Sequence, residues 1–179
     1  MDRSVKERIR REVRSLRPPA PSIRRAVVDH LDRWLQVHRP KVVVGFLAMA
    51  DEIDFTPLVG RHPEIRFGLT RTNVGTTLTV HAFDAPRERH RHGFEQPVAE
   101  APPIPLADID VVLVPGLAFS RDGRRLGRGA GYYDRFLSRL RADKVALTVE
   151  ARIRNDIPVE PHDVLMDWIA TESGIAPTS

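Results

Sequence analysis

The chain opens with two stretches whose apolar residues recur at helical spacing. Residues 4–17 carry apolar side chains at intervals of four, four and three, which predicts one buried helical face: Val5, Ile9, Val13 and Leu16. A second helix is predicted to begin at Ser22, acting as its cap, and to end before Pro40. Both helices precede the first predicted strand.

Short apolar runs beyond residue 40 predict strands. The run at residues 42–47 is continuous, as expected of a strand covered on both faces. Asp54 is predicted to cap a short helix ending near Arg61, and another helix is predicted from about Tyr132 to Leu140. Further strands are predicted at residues 65–69, 76–83, 109–114, 145–149 and 165–170. Residues 84–106 are rich in proline, charge and histidine, which predicts an irregular surface loop.

This alternation of helices and buried strands predicts an α/β fold. We expect a single layered domain over residues 1–179, with a central mostly parallel or mixed sheet flanked by helices. Ligands in such folds gather at the carboxyl ends of strands. That rule selects two places, the acidic turn after Leu47 and the glycine-rich loop after Val114.

Composition narrows the class of protein. With 179 residues and 41% hydrophobic content, the chain suits one domain, and the absence of cysteine excludes disulfides and thiolate catalysis. No apolar run approaches the roughly 18–20 residues of a membrane helix, and the charged first helix lacks the apolar stretch of a signal peptide. We therefore expect a cytoplasmic protein with no membrane association.

The charge balance favours a small anionic ligand. The net charge of +4 comes from 28 basic and 24 acidic residues, and most of the basic residues are arginine, which binds phosphate and carboxylate bidentately. Nucleic-acid binding is disfavoured, because the excess is small and no basic stretch is interleaved with aromatic residues.

Residues 126–134 carry the clearest chemical signal. They read Leu-Gly-Arg-Gly-Ala-Gly-Tyr-Tyr-Asp, and glycine at every second position permits positive φ angles and exposes backbone N–H groups to an anion. The segment opens the predicted helix at Tyr132, whose amino end adds partial positive charge, and Arg125 and Arg128 add full charges. Glycine spacing alone is weak, since this is neither a Walker loop nor a dinucleotide fingerprint, and an ordinary surface loop fits equally well.

The wider segment is nevertheless distinctive. Residues 112–119 (Val-Leu-Val-Pro-Gly-Leu-Ala-Phe) followed by residues 123–137 resemble the signature of the 5-formyltetrahydrofolate cyclo-ligases, also called 5,10-methenyltetrahydrofolate synthetases. The turn at residues 47–54 and the segment 157–163 are also similar to that family. The resemblance covers roughly residues 6–172 and is poorest in the middle loop.

The resemblance implies an ATP- and magnesium-dependent enzyme of folate metabolism, which we expect to be a monomer. It would phosphorylate the formyl oxygen of 5-formyltetrahydrofolate and then close the ring to 5,10-methenyltetrahydrofolate, releasing ADP and phosphate. ATP contacts are expected from Lys6, Arg10, Arg125, Gly127, Arg128, Gly129, Gly131, Tyr132 and Tyr133. Folate contacts are expected from Leu47, Glu52, Arg128 and Tyr132, catalytic roles from Arg128 and Tyr132, and magnesium ligation from Asp134 and Asp163.

Two departures from the family pattern leave substrate identity open. Gln96 stands where a glutamate is common, and Arg152 stands where a glutamine is usual. A folate- or nucleotide-binding paralogue with lost or altered specificity is therefore the main alternative, and a basic RNA-associated module is a third. His81, His90 and His92 suggest a metal site less strongly than they suggest solvated loop histidines.

Overall fold

The structure is a computed structural model that describes residues 2–90, 93–161 and 163–179. Its first two helices are α1 (Asp2–Arg14) and α2 (Pro21–His38). The prediction that Ser22 caps α2 is wrong: Ala20 is the cap and Pro21 opens the helix, because proline's fixed φ suits the first helical turn. No helix of the described residues is long and apolar enough to cross a bilayer.

Eleven strands are present in the described part of the chain. They are β1 (Val42–Gly45), β2 (Arg66–Thr72), β3 (Leu78–Ala82), β4 (Arg87–Arg89), β5 (Glu95–Pro97), β6 (Val111–Val114), β7 (Ala118–Phe119), β8 (Arg125–Leu126), β9 (Asp143–Leu147), β10 (Trp168–Thr171) and β11 (Gly174–Pro177). The third helix is α3 (Tyr132–Leu137), which ends three residues before the predicted Leu140.

Seven strands form the central sheet in the order β11-β10-β9-β6-β1-β2-β3. The neighbours from β10 to β2 pair in parallel, and β3 and β11 pair antiparallel at the two edges. This mixed sheet confirms the predicted α/β class. Each pair of parallel strands runs in the same direction, because the connecting chain crosses back to the end where the first strand began. The carboxyl ends of these strands therefore all lie on one side of the sheet.

The sheet is covered on both faces, which explains its continuous apolar runs. β1 and β6 are buried at every position. Val43 packs with α2 in one cluster, whereas Val42 and Val44 pack with Phe136 of α3 in the other, as the two-residue period of a strand requires. α1 lies apart from both clusters, and its face packs on the β7–β8 hairpin: Ile9 and Val13 against Leu117, Ala118, Leu126 and Ile157.

The middle segment is more regular than expected. Residues 84–106 contain the antiparallel hairpin of β4 and β5, which docks on β2. The sequence did not predict this small hairpin, which lies outside the main sheet. The helix expected after Asp54 is reduced to one 3-10 turn, Thr56–Leu58, although the Asp54 carboxylate does accept the Thr56 N–H at 2.9 Å.

Candidate active site

A cavity of about 680 Å³ lies at the carboxyl ends of β1 and β6. This is the edge of the sheet that the sequence selected, and residues of α1 together with Glu160 and Asp163 complete the wall. The cavity wall includes every site residue expected from the resemblance: Lys6, Arg10, Leu47, Glu52, Arg125, Gly127, Arg128, Gly129, Gly131, Tyr132, Tyr133, Asp134 and Asp163.

The glycine loop has the backbone geometry that its sequence predicted. Gly129 has φ 113° and Gly131 has φ 69°, conformations that side-chain-bearing residues rarely adopt. The Arg10 Nε of α1 donates to the Gly127 carbonyl at 3.1 Å, so the helix is fastened to the loop. α3 has only six residues, so its dipole adds little to the positive charge of this loop.

Lys6 faces two carboxylates across the cavity entrance. Its Nζ lies 2.8 Å from Glu160 and 3.2 Å from Asp163, and its side chain is mostly buried. Burial opposes the charge, but the hydrogen bonds to these carboxylates outweigh it and raise the pKa of Lys6. Lys6 is therefore a fixed cation within this wall.

Arg125 is the most deeply buried cation of the site. Its side chain is 6% exposed, and it donates to Asp134 and to the Pro115 carbonyl. Its guanidinium carbon lies 5.6 Å from the centroid of the Tyr133 ring, a cation–π distance. The Tyr133 hydroxyl lies 3.3 Å from the hydroxyl of Thr70, and burial raises the pKa of Tyr133, so the phenol stays protonated.

One arginine, Arg128 of the glycine loop, connects this loop to the acidic turn after β1. Arg128 donates from Nη2 to Asp51 at 2.9 Å and to Glu52 at 3.0 Å. Glu52 is buried, and its other oxygen accepts the Met49 N–H at 2.9 Å. Arg24 of α2 donates to the backbone carbonyls of the same turn. The turn is thus a rigid, anionic counterpart to the cationic loop.

The two predicted metal ligands are each paired with a cation. Asp134 accepts from Arg125, and Asp163 lies against Lys6. Within residues 2–90, 93–161 and 163–179, no group of three or more acidic or histidine side chains is arranged to hold a metal ion. Magnesium at a nucleotide needs fewer protein ligands, commonly one or two carboxylates together with phosphate oxygens, so these residues fit that use.

The histidines differ from the solvated residues expected. His81 is buried in β3, between the Thr79 hydroxyl at 2.9 Å and the Ala101 carbonyl at 2.8 Å. His90 stacks on Phe94 with ring centroids 4.4 Å apart, and both line the cavity. His92 lies outside the described residues. The sequence did not identify His90 and Phe94 as cavity residues, because the β4–β5 hairpin that carries them was not predicted.

Neither departure from the family pattern lines the large cavity: Gln96 contacts Thr72, which does line it, and Arg152 contacts Asp51, which pairs with the cavity residue Arg128. The Gln96 Oε1 accepts from the Thr72 hydroxyl at 2.7 Å, and its Nε2 donates to Glu88 at 3.1 Å. Arg152 donates to Asp51 at 3.3 Å. Both side chains are buried, so they act on the site through its wall.

Together, fold and cavity define an α/β protein with an arginine-lined cavity at the carboxyl ends of its parallel strands. The sequence model of the 5-formyltetrahydrofolate cyclo-ligase family matches residues 2–172. The chain belongs to this family.

Individual relatives match to different extents. The yeast 5-formyltetrahydrofolate cyclo-ligase (Saccharomyces cerevisiae) is 32% identical over 93% of this chain and 83% of that protein. The mitochondrial cyclo-ligase of Arabidopsis thaliana is 51% identical, but over 38% of this chain and only 29% of that protein. The NMR structure of Aquifex aeolicus 5,10-methenyltetrahydrofolate synthetase matches with a TM-score of 0.80 at 24% identity, covering 99% of this chain and 92% of that one. At that identity the structural likeness establishes the fold.

Proposed function

We propose that the protein converts 5-formyltetrahydrofolate to 5,10-methenyltetrahydrofolate, hydrolysing ATP to ADP and phosphate. One observation carries this proposal: a single cavity joins the cationic glycine loop to the acidic turn, with Arg128 spanning between them. A triphosphate suits the first wall and a folate the second. Their reacting atoms would meet near Arg128.

The phosphate-binding role belongs to the loop and to α1. The backbone of Gly127, Gly129 and Gly131 would face the triphosphate, with Lys6, Arg10 and Arg125 as the surrounding cations and Tyr132 and Tyr133 lining the pocket. The support for this division is that these cations converge on one wall from distant parts of the sequence. Their present partners are carboxylates and a carbonyl, ligands that phosphate oxygens resemble.

The folate-binding role belongs to the acidic turn. Leu47 supplies an apolar surface and Glu52 a buried carboxylate whose orientation is held by Met49. A buried carboxylate with fixed geometry suits the N–H donors of a pterin ring. Glu52 would thus orient the folate without taking part in bond making.

The family's chemistry, carried over here as part of the proposal, has two steps. The formyl oxygen attacks the terminal phosphorus of ATP and ADP leaves; N10 then attacks the activated carbon, loses its proton, and phosphate departs. Arg128 would neutralise charge on the transferring phosphoryl group, and Tyr132 would contact both substrates. The protein supplies alignment and charge compensation, without a covalent protein nucleophile.

Magnesium is proposed as the companion of ATP, with Asp134 and Asp163 as its carboxylates. When bound, the ion would neutralise phosphate charge during transfer. Loss of product formation after treatment with a chelator, and its recovery with added Mg²⁺, tests this requirement. Chelator-resistant turnover would contradict it.

The direct test incubates purified protein with 5-formyltetrahydrofolate, ATP and Mg²⁺ and follows the near-ultraviolet absorbance of the methenyl product. We expect absorbance to rise only when all three are present. ATP binding without product would favour the paralogue with altered specificity. Strong salt-dependent RNA binding that ATP does not displace would favour the RNA-associated module.

We further propose that the protein is a monomer in the cytoplasm. Its charged, amphipathic α1 is docked on the β7–β8 hairpin and contributes Lys6 and Arg10 to the cavity. Size-exclusion chromatography with light scattering tests the monomer, and cell fractionation tests the location.

A further inference from the structure

A continuous chain of ion pairs begins at the cavity wall and leads away from it. Its members are Arg128, Glu52, Asp51 and Arg152. Arg128 contacts one oxygen of Asp51 and one of Glu52, while Arg152 approaches the second Asp51 oxygen at 3.3 Å. Two cations and two carboxylates make the group neutral. Asp51 is therefore shared between an arginine that lines the cavity and one that does not.

The two arginines differ sharply in freedom. The Arg152 side chain is 6% exposed and follows β9 on the 3-10 turn Glu150–Arg152, whereas the Arg128 side chain is 38% exposed on the glycine loop. A buried guanidinium is held by its surroundings, and an exposed one can exchange partners. Arg152 is thus the static member of the chain, and Arg128 is the member able to turn.

We infer that Arg152 is a positioning residue that sets how firmly Asp51 holds Arg128, and thereby how readily Arg128 reaches a phosphate. This inference rests on the proposed role of Arg128. With Arg152 present, the Asp51 charge is divided between two cations. Without it, Arg128 alone would balance two carboxylates and would be retained on the acidic turn.

Further contacts leave Arg128 as the group that responds. Glu52 is fixed by the Met49 N–H, and Arg24 donates to the carbonyls of Ala50 and Glu52, so the turn itself is anchored from α2. Loss of the charge at Arg152 would therefore mainly change which groups the exposed Arg128 guanidinium binds.

The test measures ATP affinity by calorimetry for the wild type, Arg152→Gln, Arg128→Gln and the double variant. We expect Arg152→Gln to weaken ATP binding about tenfold, the size of coupling found for interacting charged residues. In the Arg128→Gln background the same substitution should change affinity by less than about twofold. A general loss of positive field would weaken binding equally in both backgrounds and would overturn the inference.

Three further variants separate positioning from damage. Arg152→Lys should retain most of the affinity, and Asp51→Asn should restore affinity to Arg152→Gln because it removes the excess carboxylate. Arg121→Gln is the matched control. Arg121 pairs at 2.6 Å with Glu150, which lies on the same 3-10 turn as Arg152, but Arg121 itself is exposed and does not line the cavity. It should bind ATP like the wild type.

Thermal unfolding of every variant establishes that each is folded before affinities are compared. If Asp51→Asn fails to rescue Arg152→Gln, or if Arg152→Gln binds ATP normally, the inference is wrong. Failure of the proposed function has a different signature, in which the wild type binds ATP but forms no methenyl product. A wild type that binds no ATP would overturn both.

Discussion

At the scale of single residues, Gln96 shows how a departure from a family pattern is accommodated. Its oxygen accepts from the Thr72 backbone and hydroxyl, and its amide donates to Glu88. A carboxylate at this position would keep the acceptor role but would lie against Glu88. The hydrogen bonds around Gln96 therefore explain its identity in this chain without invoking a lost activity.

We predict that Gln96→Glu lowers the melting temperature by roughly 4 °C, because a buried carboxylate would face a second one. The loss should diminish on acidification, since protonation removes the repulsion. Differential scanning calorimetry at several pH values measures both effects. Combining it with Glu88→Gln should restore most of the stability, and a single variant as stable as the wild type would contradict the proposed contact.

Asp134 also stabilises the fold, in addition to its proposed role in ATP use. It pairs with Arg125, whose Nε is buried without a hydrogen-bond partner among the described atoms. Substitution of Asp134 would thus leave a buried cation poorly compensated. Sequence reasoning alone would expect loss of activity with an unchanged fold, and the structure adds a stability cost to that expectation.

We predict that Asp134→Asn abolishes product formation and also costs about 2 kcal/mol of unfolding free energy. Urea unfolding followed by circular dichroism gives the stability, and the methenyl absorbance gives the turnover. Asp122→Asn provides a matched control, because Asp122 pairs with Arg124 on the surface and lies outside the cavity. Equal stability losses in the two variants would refute the buried-pair argument.

At the scale of elements, ion pairs supplement the apolar attachment of α1. Its apolar face covers only a small cluster, and ion pairs join it to the segment after β9: Arg8 with Asp156, Glu12 with Arg154, and Lys6 with Glu160 and Asp163. α2, by contrast, packs in the main core through Val27, Val28, Leu31, Trp34 and Leu35. The two helices should differ in how they respond to pH.

The sign of the pH response follows from two carboxylates. The Arg154 guanidinium, with Arg8, lowers the pKa of Asp156, and Arg8, with Arg154, lowers the pKa of Glu12. A carboxylate whose pKa is depressed by folding stabilises the native state above its unfolded pKa, about 4, and loses that contribution as pH falls further. The attachment of α1 should therefore weaken below about pH 4.

We predict that acidification from pH 7 to about 3 lowers the protection factors of the α1 amides, corrected for the intrinsic exchange rate at each pH, before it lowers those of α2. Hydrogen–deuterium exchange with mass spectrometry reports the two helices separately. High salt at pH 7 should produce a weaker version of the same difference, because these pairs are partly exposed. Parallel loss of protection in both helices would show that α1 is not an independently released element.

At the scale of the whole molecule, two walls from different parts of the fold make one site. The cationic wall comes from α1 and the glycine loop, and the acidic wall comes from the turn after β1. Because the two walls carry opposite charges, their ligands should be separable by mutation.

We predict that Glu52→Gln weakens 5-formyltetrahydrofolate binding about tenfold while ATP affinity does not fall, since the substitution removes one of the two carboxylates that retain Arg128 on the acidic turn. Calorimetric titration of each ligand measures the two affinities independently. Asp54→Asn is the control in the same turn, because Asp54 caps the Thr56 N–H and does not line the cavity. Equal losses for both ligands in Glu52→Gln would contradict the assignment of the acidic turn to folate.

The sequence by itself determined the elements whose signal is local. The 3.6-residue apolar period located the first two helices, and short apolar runs located most strands of the central sheet. The rule that ligands bind at the carboxyl ends of strands selected the acidic turn and the glycine loop. Positive φ at Gly129 and Gly131 followed from residue type. Short elements such as the β4–β5 and β7–β8 hairpins were missed because two or three residues carry too little periodicity.

Only the tertiary structure decided which charges meet. Lys6 with Asp163, Arg10 with the Gly127 carbonyl, and Arg152 with Asp51 are joined across more than a hundred residues of sequence, and no local pattern encodes such pairs. Partner choice depends on where a whole helix or turn docks, which is set by core packing. The sequence thus predicted which residue types line the cavity. The fold was needed to show how they pair, including the contacts of Asp51 with both Arg128 and Arg152.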